Sequence, residues 1–268
     1  MGSSSSTFPV RRGCYHFRGI NQMHKIEAKD RLIVALDLRD VDEARHMVDR
    51  LGETVSFYKV GLTLQLAPGV EGLIQYLISR GKKVFLDYKY YDVQETLKKA
   101  VSQAARLGVS FLTVHGTGDL LKAAVSGKGS SDLKLFMVTV LTSLEAKDVV
   151  EMGYPESSVE DLVLFRTRKA LEAGCDGVIT SGREAKKVRD LAGDKLLVVT
   201  PGIRPDGYSE DEQKRRTTPT SAILAGADYL VIGRPITDAA DPGQAAEQML
   251  LEMQQAFDNV TQTSLAHS

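Results

Sequence analysis

From Arg31 onward, short apolar runs alternate with amphipathic stretches. The apolar runs are Leu32–Asp37, Val55–Val60, Lys83–Lys89, Ser110–His115, Lys134–Leu141, Gly177–Thr180, Leu196–Thr200 and Tyr229–Gly233. Each is apolar or β-branched on both faces, as a strand buried in a parallel sheet requires. Between them, Val41–Leu51, Leu62–Arg80, Gln94–Leu107, Val159–Ala173, Ala185–Ala192 and Gly243–Phe257 carry helical periodicity. Repeated strand-then-helix units imply a parallel sheet with right-handed crossovers. Eight such units predict a single closed (β/α)8 barrel of the TIM type, and 268 residues suit one. A doubly wound open sheet is the runner-up. It usually has fewer strands, and no Gly-x-Gly-x-x-Gly follows the first one.

One connection breaks the rhythm. After the seventh run the chain passes through Pro201-Gly202-Ile203-Arg204-Pro205 to Thr218-Pro219, where Thr218 suits an N-cap and Pro219 a first helical position. Strand-to-helix loops usually take ~2–6 residues. One this long reads as a lid or binding loop. Residues 27–258 form the predicted barrel domain and 259–268 a polar C-terminal tail. Residues 1–26 read as an extension, disordered or a non-native start, with Met23 as an alternative one. Their serines, arginines and lack of acidic residues also match a transit peptide, and Met1-Gly2 loosely matches a myristoylation signal.

A formal net charge of −1 removes any global basic surface for nucleic acid or membrane, although a local anion pocket stays open. No apolar run reaches the ~18 residues that span a bilayer. Two cysteines, Cys14 and Cys175, without a C-x-x-C, fit a reducing, cytoplasmic setting rather than a disulfide framework. Cys175 reads as a small buried side chain.

Chemistry in such barrels sits at the C-terminal strand ends. The polar residues there are Asp37, Lys59, Asp87, Lys89, Asp92, His115, Thr142, Arg204 and Arg234. Alternation along a strand puts Asp87 and Lys89 on one face. An ammonium between carboxylates stays protonated. Lys89 is then a fixed cation and proton donor, and a poor nucleophile, since a nucleophilic amine must shed its proton. Each residue also has a structural reading. Asp92 with Glu95 fits a capping box for a helix starting at Val93, Lys59 and Lys89 could snorkel, Asp37 could cap its loop, and lone His115 suits a structural hydrogen bond better than a metal. At the end of the eighth run, Gly233 allows close backbone approach and Arg234 offers a fork for phosphate oxygens. Arg204 and Gln213 from the long loop could complete that grip, whereas Lys214 and Arg216 read as solvated.

Together these residues resemble the orotidine 5′-monophosphate decarboxylase family, over about residues 30–250. The matching pieces are Ala35-Leu36-Asp37, Tyr58-Lys59-Val60-Gly61, Asp87-x-Lys89-x-x-Asp92 with Thr96, Leu141-Thr142-Ser143, Thr200 through Pro205, Asp211 through Arg215, and Gly233-Arg234-Pro235. The D-x-K-x-x-D block alone is shared with related sugar-phosphate decarboxylases and synthases. Its combination with Pro-Gly-Ile-Arg-Pro, Gln213 and Gly233-Arg234 is more specific, and the spacing is similar to the bacterial branch. The resemblance implies conversion of orotidine 5′-monophosphate to uridine 5′-monophosphate without metal or cofactor. It implies that Asp37 and Lys59 hold the ribose, that Lys89 protonates C6 and that Asp87 faces the departing carboxylate. Thr142 and Pro201 would bind the base, and Arg204, Gln213, Gly233 and Arg234 the 5′-phosphate. Asp92 and Thr96 would reach into a partner's site, making a homodimer with shared active sites. Tyr90-Tyr91 and Val93-Gln94-Glu95 depart from the family pattern, with spacing kept, and residues 1–26 have no counterpart. The rivals are a metal-dependent sugar-phosphate decarboxylase or aldolase, a Schiff-base aldolase through Lys59 or Lys89, and a silent nucleotide-binding module.

Overall fold

The computed structural model describes residues 27–154, 158–208 and 215–266. Its strands are β1 (Leu32–Ala35), β2 (Phe57–Gly61), β3 (Lys83–Tyr90), β4 (Phe111–Val114), β5 (Lys134–Val138), β6 (Gly177–Ile179), β7 (Leu197–Thr200) and β8 (Tyr229–Ile232). They pair in parallel in chain order, and β8 closes on β1 with Leu32 opposite Leu230. The expected barrel is therefore present, with all eight strands where the apolar runs lie.

The helices follow from local chemistry. Val41–Leu51 starts where Asp40 Oδ1 accepts the Glu43 N–H at 2.9 Å. It buries Val41, Ala44, Met47, Val48 and Leu51, one stripe at helical spacing. Burying each large apolar side chain of such a stripe contributes roughly 1.5–3 kcal/mol. The stretch read as one helix over Leu62–Arg80 is two, Leu62–Gln65 and Val70–Ser79. Pro68 divides them, because proline disfavours helical backbone in the residue before it. Asp119–Lys128 is a helix that the periodicity did not reveal. Its Gly127 lies so close to the helix Gln94–Arg106 that a Cβ there would sit 2.4 Å from the Lys98 carbonyl oxygen. A residue that reads as a helix breaker is thus a packing contact. Thr218 caps Pro219–Leu224 as expected. The last helix runs Pro242–Ala266, past the Phe257 at which its pattern fades.

Two apolar layers result. The outer one packs helices on the barrel. The inner one, a plug of Ile33, Ala35, Phe57, Phe85, Phe111, Phe136, Val199, Tyr229 and Val231, fills the barrel. Phe111 is its hub, with ring centroids 4.8 Å from Phe57, 4.5 Å from Phe136 and 5.1 Å from Tyr229. Cys175 is buried, and burial pushes its thiol up to about 12. Among the described residues no helix is long and apolar enough to cross a membrane.

Candidate active site

The site stands directly on that plug. Strand residues two apart share a face, so the residue after next from each plug residue lies one layer nearer the C-terminal mouth. Phe57 is followed by Lys59, Phe85 by Asp87, Phe111 by Thr113, and Ala35 by Asp37. An apolar floor thus carries a polar layer. Lys59 Nζ lies 3.0 Å from Asp37 Oδ1 and 3.5 Å from Asp87 Oδ2. Asp87 Oδ1 accepts from Lys89 Nζ at 2.9 Å and from the Thr113 hydroxyl at 3.0 Å.

Burial opposes charge on both central members of this array. On Lys59 the carboxylates of Asp87 and Asp37 outweigh burial and raise its pKa above the ordinary lysine value. On Asp87 the ammonium groups of Lys59 and Lys89, with hydrogen bonds from Lys89 and Thr113, outweigh burial and lower it. Both stay ionised at neutral pH. Space for the Asp37–Lys59 pair exists because residue 61 is glycine: a Cβ there would lie 2.7 Å from Asp37 Oδ1 and 2.9 Å from Lys59 Nζ.

Lys89 is the one non-glycine residue with positive φ, 52°, among the described residues. The β3–β4 register shifts between Leu86 and Tyr90, so β3 bulges where it presents Lys89. Left-handed backbone at a long side chain costs of order 1–3 kcal/mol and persists only where surrounding contacts hold it. Here the Lys89 N–H donates to Thr113 Oγ1 at 2.9 Å. Asp87 and Lys89 do share the inner face, as alternation predicts, but across a bulge rather than a regular strand. Thr113 escaped the sequence reading. The signal was available, since it stands two residues after Phe111 as Asp87 does after Phe85.

The array forms one wall of a cavity of about 660 Å³ at the C-terminal mouth. The same cavity is lined by Thr142, Pro201, Arg204, Gly233 and Arg234, so nine of the anticipated residues, with Asp37, Lys59, Asp87 and Lys89, meet in one place. Gly233 precedes the short turn Arg234–Thr237. The long connection is pinned at both ends: Ile203 bridges to Thr217, and the Arg204 N–H donates to the Thr217 carbonyl at 2.9 Å. Arg204 is buried, donates from Nη1 to the Ile203 carbonyl at 2.8 Å and lies over the Tyr208 ring. Arg215 is buried too. It donates to the carbonyls of Val140 at 3.1 Å and Leu141 at 2.8 Å and pairs with Glu184 at 2.9 Å. The far root of the loop is thereby fastened to the segment that carries Thr142. Gln213 and the residues around it, 209–214, lie outside the described residues, as do residues 1–26.

Asp92 and Thr96 are exposed and do not line the cavity. The capping box anticipated from Asp92 and Glu95 does not form. The helix begins at Gln94, Val93 is its cap without a side-chain bond, and Asp92 Oδ1 accepts the adjacent Val93 N–H at 2.7 Å. Asp92 stands one residue too early to reach the first helical turn. His115 is half-buried. Desolvation, reinforced by Arg166 and Lys89, lowers its pKa to about 4, so it is neutral at physiological pH. No group of three or more His, Cys, Asp or Glu among the described residues is placed to hold a metal ion.

A closed parallel barrel with polar side chains gathered at its C-terminal mouth defines a (β/α)8 enzyme. Comparison with known proteins specifies which kind. Residues 30–249 match the family described as Orotidine 5'-phosphate decarboxylase / HUMPS, and the chain belongs to that family. It is 55% identical over 230 residues to an orotidine 5'-phosphate decarboxylase of Nitrobacter winogradskyi, covering 86% of this chain and 95% of the relative. It is 48% identical over 233 residues to one of Methylococcus capsulatus, covering 87% and 95%. The fold superposes on the crystal structure of the Lactobacillus acidophilus orotidine 5'-phosphate decarboxylase with a TM-score of 0.73 and 36% identity, covering 84% of this chain and 99% of that one.

Proposed function

We propose that this chain decarboxylates orotidine 5′-monophosphate to uridine 5′-monophosphate in pyrimidine biosynthesis, without metal or cofactor, with Lys89 as the proton donor. The observation that carries this reading is the Asp37–Lys59–Asp87–Lys89 array on a buried apolar floor, in one cavity with Arg204 and Arg234. The cavity volume falls within the ~300–1,000 Å³ of small-molecule sites.

In the reaction the C6–carboxylate bond breaks, carbon dioxide leaves, and the electron pair stays on C6 in an in-plane orbital. The pyrimidine ring cannot delocalise that pair, so an adjacent cation must stabilise it. A unit charge about 4 Å away contributes ~4 kcal/mol at an effective dielectric of ~20, close to a thousandfold in rate. Lys89 Nζ supplies this charge and then its proton, and solvent restores the proton afterwards. Asp87 holds the ammonium in place and faces the leaving carboxylate. Asp37 and Lys59 bind the ribose hydroxyls, Thr142 and Pro201 the base, and Arg204, Gln213, Gly233 and Arg234 the phosphate. The phosphate is held far from C6, so that remote binding energy assists chemistry there.

Asp92 and Thr96 act in the site of a second copy, forming a cytoplasmic homodimer with shared active sites. Support comes from their exposure beside large apolar side chains, adjacent in the chain, that a lone protomer leaves in water: Tyr91 is 69% exposed and Val93 67%. An absorbance assay of orotidylate loss in the presence of a chelator tests the reading. Steady turnover supports it. Turnover only on a sugar phosphate, abolished by chelation, favours the metal-dependent rival, and tight uridylate binding with no turnover favours a silent binding module.

A further inference from the structure

We infer that Thr113 is a positioning residue: its hydroxyl fixes both the left-handed turn at Lys89 and the aim of the Asp87 carboxylate, and so sets where the Lys89 ammonium stands. This deepens the reading of Lys89 as proton donor and rests on it.

Three observations converge. Lys89 holds a backbone conformation that a lysine does not adopt without support, at a shift in β3–β4 register. Its N–H donates to Thr113 Oγ1 at 2.9 Å, in place of a regular ladder partner. The same hydroxyl donates its proton to Asp87 Oδ1 at 3.0 Å, the oxygen that also accepts from Lys89 Nζ at 2.9 Å. The hydrogen bonds close a ring: Lys89 N–H to hydroxyl, hydroxyl to carboxylate, and the Lys89 ammonium back to that carboxylate. Only a group that accepts and donates at one atom can occupy this position, which a hydroxyl does and a methyl does not.

Thr113 is fully buried on β4, two residues after Phe111 of the aromatic plug and at the level of Asp87. The cavity is lined by Asp87 and Lys89 but not by Thr113. Its effect on substrate is therefore indirect. Without the hydroxyl, the Lys89 amide loses its partner, the bulge relaxes toward ordinary strand geometry, and the ammonium moves off its position over C6. A misplacement of about 1 Å at a reacting group can cost on the order of a hundredfold in rate.

Thr113→Val keeps the shape and removes both bonds, whereas Thr113→Ser keeps both. The full chain is assayed for kcat and KM on orotidylate, for uridylate affinity, and for hydrogen exchange at the Lys89 amide. The expected result for Thr113→Val is kcat lowered about ten- to a hundredfold with KM and uridylate Kd within about threefold of wild type, and fast Lys89 exchange. Thr113→Ser is expected to restore kcat to within about threefold and to keep the amide protected. Thr113→Ala repeats the removal should the valine overfill the site. Unchanged kcat in the removal variants, parallel loss of kcat and uridylate binding, or a serine variant as impaired as the valine one would overturn the inference. A wild-type chain without turnover on orotidylate sinks the functional reading instead, and the exchange measurement then still decides whether Thr113 holds the turn.

Discussion

Asp87→Asn probes the physics of the array most sharply, because it removes one charge from between two others and barely alters shape. Asp87 lies 2.9 Å from Lys89 Nζ and 3.5 Å from Lys59 Nζ, and its side chain is 16% exposed. At an effective dielectric of ~20 the two attractions are worth ~6 and ~5 kcal/mol. Much of this is offset by the cost of burying the carboxylate. Breaking a buried pair by removing one partner costs ~3–5 kcal/mol, because the remaining charge stays buried without compensation. The open mouth places this case near ~3 kcal/mol. For a domain of this size that lowers Tm by roughly 6–12 °C. The variant keeps Lys59 beside Asp37 but leaves Lys89 without its counterion.

The difference must also depend on pH in a definite direction. The Asp87 carboxyl is held below its ordinary value of 3.8, so its contribution is complete above that pH and is lost as pH falls through the folded value. Urea unfolding followed by circular dichroism, on wild type and variant at several pH values, measures the gap. It should be constant from neutral pH down to about 5 and shrink below 3.8. Equal stability at neutral pH would refute the reasoning, and so would a gap that widens in acid.

Two further outcomes follow from the same geometry. Gly61→Ala sets a methyl against Asp37 Oδ1 and Lys59 Nζ, the far ends of two flexible side chains, and pushes the pair out of position; isothermal titration should find uridylate binding weakened roughly tenfold, an unchanged Kd being the contrary result. In an NMR titration the His115 ring should protonate near pH 4. Because the unfolded chain takes up that proton at about 6.5, stability falls as pH drops between those values, and a ring midpoint near 6.5 would contradict its burial beside Arg166 and Lys89.

The barrel was legible because buried parallel strands are apolar on both faces, and all eight appear as runs that no other element imitates. The helices were less so. Asp119–Lys128 hides behind a glycine whose function is contact with Lys98, a tertiary fact without local periodicity. The site was legible where charge is surprising in a strand, as at Lys59, Asp87 and Lys89. It was illegible where the useful residue is ordinary. A threonine in a strand draws no notice, and only its place above Phe111 and beneath a bulge gives Thr113 a role. The strain at Lys89 could not be foreseen either, since it arises from the β3–β4 register and not from local sequence. Asp92 failed as a cap for a simple reason: the helix starts one residue later than its pattern suggests.

Lys89→Ala tests the proposed role of Lys89 most directly. Single-turnover decarboxylation of orotidylate is compared between wild type and variant, together with uridylate affinity. Loss of the cation and of its proton should slow the chemical step by on the order of 10⁴-fold or more, while uridylate still binds within about tenfold of wild type. A variant that decarboxylates at close to the wild-type rate would contradict the account.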